Sequence, residues 1–293
     1  RQMCIRDRII TFKIDEKSAG MQIRDYLRGF GVSSALLTKL KQTENGIMKN
    51  GVFAKAIEKI ECGDELTICI KSEGSMPKPA DLPLDIIYED EDVLALNKPA
   101  AMPVHESRNH RGDTLSNAVA NYMNGKRDSA FRAVFRLDRD TSGIVLTAKN
   151  ELAAAKLAGK IKKDYYAVVC GEIAGKGTID APIRRLGDSI IKRGVFEDGD
   201  SAITHYESIK TNGKYTLLKI NLETGRTHQI RVHFSNIGHP LAGDDLYGGS
   251  RADIARQALH CKAICFTHPV KGKEITLECD FPPDMEKLIE EMK

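Results

Sequence analysis

Phe135-Arg136-Leu137-Asp138-Arg139-Asp140-Thr141-Ser142-Gly143 runs directly into the apolar triplet Ile144-Val145-Leu146. An arginine stands two residues before an aspartate, and a Thr-Ser-Gly turn feeds the strand-like run. Acids and bases packed this tightly at the mouth of a strand point to a catalytic loop rather than to packing. The loop carries one carboxylate of interest, Asp138, with arginines placed to meet a phosphate or another anion.

Outward from this loop, strand-like runs dominate, at 93–96, 144–147, 165–169, 215–220 and 275–279. Helical stretches are interspersed, notably over 115–123 and 151–161. Strands with sparse helices and hairpin turns predict an α+β domain with a mostly antiparallel sheet over 85–293. Upstream, Ile10, Phe12 and Ile14 alternate as in a short strand. Ile23, Tyr26, Leu27 and Phe30 recur at helical spacing up to Gly31. Ser33 and Ser34 suit the start of a second helix holding Leu36, Leu37 and Leu40, from which Lys39 and Lys41 project. Asn50-Gly51 between apolar residues signals a hairpin, and Gly63-Asp64-Glu65 turns into a last strand. Residues 10–72 therefore read as a small α/β domain. Residues 73–84, rich in proline and without periodicity, read as a linker, and residues 1–9 as a non-native or disordered leader.

A chain of 293 residues fits two such domains. Its larger part can bury roughly 70% of the surface exposed on unfolding, so disulfide staples are not required. The seven cysteines are an odd set without a C-x-x-C pair; they read as reduced thiols of a cytoplasmic protein. His260, Cys261, Cys265 and His268 match no common zinc spacing, and no metal site is expected. No run of 18 apolar residues marks a membrane span. The net charge of +3 is too small to announce a nucleic-acid binder, so any such partner must be met by local clusters.

Three further blocks carry polar chemistry. Gly225-Arg226-Thr227-His228-Gln229-Ile230-Arg231-Val232-His233-Phe234 places two arginines and two histidines within eight residues, on a strand or a helix start. An acid nucleophile at Asp138 needs such a cation beside it. Lys162-Lys163-Asp164-Tyr165-Tyr166 offers an aromatic pair after two lysines, able to stack on a base and hold its phosphates. Asn97-Lys98-Pro99, with Val104-His105, reads by itself as a strand end and a turn.

Together with Gly238-His239-Pro240-Leu241 and Gly243-Asp244, these blocks stand in the order found in the RluA-type RNA pseudouridine synthases, which the chain resembles from about residue 10 to 281. It departs from that pattern at Phe135, where many relatives have histidine, and at Ala101, where glycine is common. The N-terminal helices and hairpin resemble the S-four-like RNA-binding module, named for a ribosomal protein. The resemblance implies isomerisation of uridine to its C-linked isomer in structured RNA, most often large-subunit ribosomal RNA, with transfer RNA as the other candidate. It implies Asp138 as the catalytic group, Arg231 paired with it, and Arg136 in the space left by a flipped base. It also implies Tyr165 and Ile230 against the uracil, and Lys39, Lys41 and Lys49 on RNA. A redox-neutral isomerisation needs no cofactor, and a monomer is expected. Two other readings are open at this point. Asp138 and Asp140 could be the paired acids of a glycoside hydrolase, against which stands the absence of tryptophan. The chain could also be a non-catalytic RNA-binding assembly factor.

Overall fold

In the computed structural model, which describes residues 7–71, 75–123, 130–187, 189 and 191–292, alternation and helical spacing give two packed units. The first contains β1 (Arg8–Lys13), α1 (Ile23–Phe30), α2 (Ser34–Gln42), β2 (Ile47–Lys49), β3 (Val52–Phe53) and β4 (Glu65–Ile70), with sheet order β1-β4-β2-β3. The Ser33 hydroxyl accepts the Leu36 amide at 3.1 Å and starts α2. Asn50 and Gly51 both take positive φ, 52° and 78°, the turn that matches the twist of paired strands. The Asn50 side chain then donates to Asp64 at 2.7 Å and accepts the Glu65 amide at 2.8 Å. Two landmarks separated in the sequence are thus one contact.

The second unit holds β5 (Asp85–Glu89), β6 (Val93–Lys98), α3 (Leu115–Met123), β7 (Arg132–Ala133), β8 (Ser142–Ala148), α4 (Glu151–Leu157) and β9 (Lys162–Cys170). It continues through β10 (Lys176–Asp180), β11 (Ile183–Arg185), β12 (Arg193–Val195), β13 (Ile203–Thr211), β14 (Tyr215–Leu222) and α5 (Gln229–Asn236). A 3-10 turn (Asp245–Tyr247), β15 (Leu259–Thr267), β16 (Glu274–Glu278) and α6 (Pro283–Glu291) complete it. A ten-stranded sheet runs β10-β13-β14-β9-β15-β8-β6-β5, with β16 beside β15 and β7 beside β8. Its pairs are antiparallel except β15 and β8, which run parallel with His260 and Cys261 opposite Ser142 and Gly143. Gly143 sits at φ 111°, and a Cβ there would collide with the Cys261 backbone. The close approach of the two strands therefore demands glycine. The 135–142 loop lies at this parallel seam.

Two expectations are corrected. Arg8 and Ile9, placed in the leader, belong to β1 and pair with Ile70 and Cys69; residues 1–6 of that leader lie outside the described residues. Arg8 is held because its guanidinium grips the fully buried Asp92 with two bonds of 2.8 Å. The 73–84 linker packs where it is described: Asn117 donates to the Lys78 carbonyl at 2.7 Å, and Met76, Leu82 and Leu84 pack on the large core. Residues 73 and 74 lie outside the described residues. Helix α4 stops at Leu157, short of 161, where Gly159 turns the chain at φ 70°. α6 is additional to the expected elements; Pro283 at its first turn, acids at 284 and 286, and buried Met285 and Leu288 suit it to a helix.

The two units meet through α4. Leu152 of this helix is fully buried in the first unit's core, and Glu151 takes the Lys39 ammonium at 2.5 Å. Asn150 caps α4 through the Ala153 amide and also donates to Asp92. No helix among the described residues is long and apolar enough to cross a membrane.

Candidate active site

Leu137 is buried, 7% exposed, and anchors the loop in the large core, a burial that contributes about 2 kcal/mol. Its neighbours Arg136 and Asp138 line a cavity of about 80 Å³ that opens into a groove of about 630 Å³. Two buried cations hold successive carbonyls of the loop. Lys98 Nζ donates to Arg139 O at 2.9 Å, and Arg256 donates to Asp140 O at 3.0 Å. Lys98 also donates to the Pro99 and Met102 carbonyls, each at 2.8 Å. Burial pushes its pKa down to about 7, opposed by Asp140, while three carbonyls accept the ammonium protons. The strand end read as a plain turn is therefore a clamp on the loop.

Across the cavity stands α5. The residues 230, 232 and 234 alternate, which suits a strand, but the chain turns helical where Gln229 ties its start to β13. Gln229 donates to Ile203 O at 2.9 Å and to Thr204 Oγ1 at 3.0 Å, and accepts the Arg226 amide. His228 precedes the helix at φ 59°, a left-handed conformation uncommon for a non-glycine residue. One helical turn then aims Ile230 and Arg231 at the cavity. Arg231 is 7% exposed. Its Nε and Nη2 donate to the two oxygens of Asp244 at 2.7 and 2.8 Å, and its Nη1 donates to Asp138 at 3.2 Å. Burial opposes the guanidinium charge, but Asp244 and Asp138 outweigh it and hold its pKa above the usual value. Asp244 is itself set by Gly243, whose φ of 76° and contact with the Arg256 carbonyl leave no room for a Cβ.

The expected cluster of four cations does not form, because helical geometry sends its members in different directions. His233 is buried between Thr204 and the Ala181 carbonyl, and burial lowers its pKa. His228 bonds the Tyr247 hydroxyl at 2.9 Å and lies 3.8 Å from Asp138; burial lowers its pKa too. Arg226 donates to Ser201 O at the rim. The aromatic pair is likewise split by strand alternation. Tyr165 faces the cavity, whereas Tyr166 packs edge-on against Phe281 on the other side of the sheet. Burial raises the Tyr165 pKa, with Cys261 and Asp138 adding to it. Its phenol stays protonated at neutral pH, which favours an apolar wall or a donor over a phenolate base.

Asp140 is turned away from Asp138: it pairs with Arg139 at 2.9 Å and lines neither the cavity nor the groove. The paired-acid geometry of a glycoside hydrolase is not assembled here. Of the three lysines expected on RNA, Lys41 is exposed. Lys39 faces Glu151 at the junction of the units, and Lys49 donates to the Lys59 carbonyl at 3.2 Å. None of the three reaches the cavity. Sequence reasoning missed Asp244 and Lys98 as members of the site; Gly243-Asp244 was the available signal for the first.

The four residues weighed for zinc do not converge. His260 bonds Ser142 at 2.9 Å and the Cys279 thiol at 3.3 Å, while His268 bonds Asp90 at 2.7 Å. Asp90, Asp92 and His268 lie near one another, yet Lys271, Arg8, Asn150 and backbone amides already engage them. His260, 1% exposed behind the cavity, carries a pH prediction. Burial lowers its pKa from 6.5 to about 4, with Arg256 and Lys262 adding repulsion. Between those values the unfolded chain binds a proton that the fold refuses. Stability is thus fully present above pH 6.5 and lost as pH falls toward 4, by up to about 3 kcal/mol. Urea unfolding of His260→Gln should show a correspondingly flatter profile across that window; parallel profiles for variant and wild type would refute the assignment.

Residues 92–236 match the family model described as RNA pseudouridylate synthase. The chain is 41% identical over 280 residues to the uncharacterized RNA pseudouridine synthase YjbO of Bacillus subtilis (strain 168), covering 92% of this chain and 98% of the relative. It is 37% identical over 269 residues to ribosomal large subunit pseudouridine synthase D of Escherichia coli (strain K12), covering 84% and 82% respectively. The solved structure of human RNA pseudouridylate synthase domain containing 1 shares the fold, with a TM-score of 0.57 and 24% identity over 75% of this chain and 97% of that one. A carboxylate and a guanidinium 93 positions apart meet in a cavity within the matched segment, and the chain belongs to the RluA-type RNA pseudouridine synthases.

Proposed function

We propose that this isomerase converts uridine to pseudouridine in large-subunit ribosomal RNA, with Asp138 as the catalytic residue. The observation that carries the reading is the Asp138–Arg231 pair at the edge of a cavity walled by Tyr165, Ile230, Leu222 and Leu259. A pyrimidine has two apolar faces and a polar edge, and such a cavity suits it only once it has left the helix stack. Unstacking costs a few kcal/mol, which phosphate contacts and a filling side chain offset; Arg136, exposed at the mouth, is placed to fill. Asp138 acts at the sugar, as nucleophile at C1′ or as the base that leads to a glycal. The N1–C1′ bond breaks, the uracil turns, C5 joins C1′, and the proton of C5 leaves as N1 gains one. Arg231 orients the carboxylate, and Asp244 orients Arg231. Tyr165 and Ile230 hold the freed base. The first unit contributes RNA contacts through the exposed Lys41 and the hairpin of Lys49, while Lys39 serves the junction. The protein works as a cytoplasmic monomer.

The substrate is tested with transcripts carrying tritium at uridine C5. Release from large-subunit fragments, and not from transfer RNA, is expected. Release from transfer RNA alone, or from neither, would contradict the substrate assignment.

A further inference from the structure

Lys163 lines the outer groove beside Asp138 and Tyr165. It shares a strand face with Tyr165, two positions on, so β9 aims both side chains at the same space. Its ammonium lies 4.8 Å from the centre of the Phe135 ring, the residue immediately before Arg136-Leu137-Asp138. The side chain is half-buried, and burial lowers its pKa, with only Cys261 opposing. No carboxylate among the described residues lies within ion-pair distance of it. The adjacent acid, Asp164, points to the other face, where it takes Lys219 at 2.7 Å and Asn221 at 2.6 Å.

A cation drawn partly out of water without a counter-ion is unfavourable unless an anion arrives to meet it. An aromatic face attracts the ammonium and fixes its place while leaving its charge intact. A carboxylate in the same position would quench it. Arg136, Arg139 and Arg226 line the same groove with Lys163, against the two carboxylates Asp138 and Glu106, so cations outnumber anions along it. We propose that Lys163, seated on Phe135, is a substrate-binding residue that grips a backbone phosphate of the RNA next to the flipped uridine. This assignment rests on the isomerase reading above for the identity of the anion. The neutral Phe135 ring seats the ammonium without quenching its charge.

The test is the affinity of the protein for a large-subunit RNA fragment, measured across a salt series together with tritium release. Lys163→Met should raise Kd about tenfold at fixed salt, as loss of one charge-assisted contact does. It should also reduce the slope of log Kd against log salt by about one. Lys163→Arg should keep the wild-type slope. Phe135→Leu, which retains apolar bulk without the ring, should raise Kd about threefold. The double variant Phe135→Leu/Lys163→Met should bind no worse than Lys163→Met, because the two residues act as one device. An unchanged Kd and salt slope for Lys163→Met would overturn the proposal even where tritium release is normal. If instead Lys163→Met weakens binding while the wild type releases no tritium, the phosphate contact stands and the isomerase reading falls.

Discussion

Asp138→Asn is expected to lower the single-turnover rate of tritium release by about four to six orders of magnitude, the scale on which loss of a central catalytic group acts. RNA binding should stay within about threefold of the wild type. Asparagine preserves the volume of the side chain and keeps an oxygen facing Arg231, which now sits 3.2 Å away. What it removes is the second anionic oxygen that would reach the sugar. Arg231 remains paired to Asp244, so the cavity wall should not collapse, and any loss reports on chemistry rather than folding. A rate within tenfold of the wild type would mean that another group reacts at C1′.

The second large effect is expected at Asp244, a residue that need not touch the RNA. Its side chain is fully buried and accepts from Nε and Nη2 of Arg231. Asp244→Ala leaves a buried guanidinium without its stronger partner, which costs about 3–5 kcal/mol. In a chain of this size that corresponds to a fall in Tm of roughly 10 °C. Arg231 would be free to swing from its present angle, and misplacement by about 1 Å is enough to reduce turnover on the order of a hundredfold. Asp244→Asn, which keeps the shape and one acceptor, should recover much of the stability but not the turnover. A positioning role requires that the loss appear in kcat while RNA affinity is retained. If both variants lose RNA affinity and turnover in proportion, Asp244 supports the fold alone.

Much of the site was readable because its pieces are local. Arg136-Leu137-Asp138 alternates one inward anchor with two outward polar groups, and Gly143 permits the strand approach that follows. The strand runs at 93–96, 144–147 and 165–169 fall within β6, β8 and β9 because period-2 apolar patterning and β-branched residues act over a few positions. What could not be read depends on contacts between distant segments. Lys98 looks like any lysine before a proline until β6 is laid against β8 and its ammonium finds the Arg139 carbonyl. Lys39 looks like a solvated helix lysine until α4 is docked and Glu151 meets it. Arg8 looked dispensable because its partner, Asp92, lies in the other unit. The helix α5 was ambiguous for a different reason: apolar residues at 230, 232 and 234 fit a strand, and only the Gln229 anchorage to β13 decides for helix.

The decisive measurement maps pseudouridines at single-nucleotide resolution in total RNA, comparing cells that carry the wild-type chain with cells that carry Asp138→Asn at equal abundance. One or a few large-subunit positions should be fully modified in the first and unmodified in the second. Equal modification of those positions in both would contradict it.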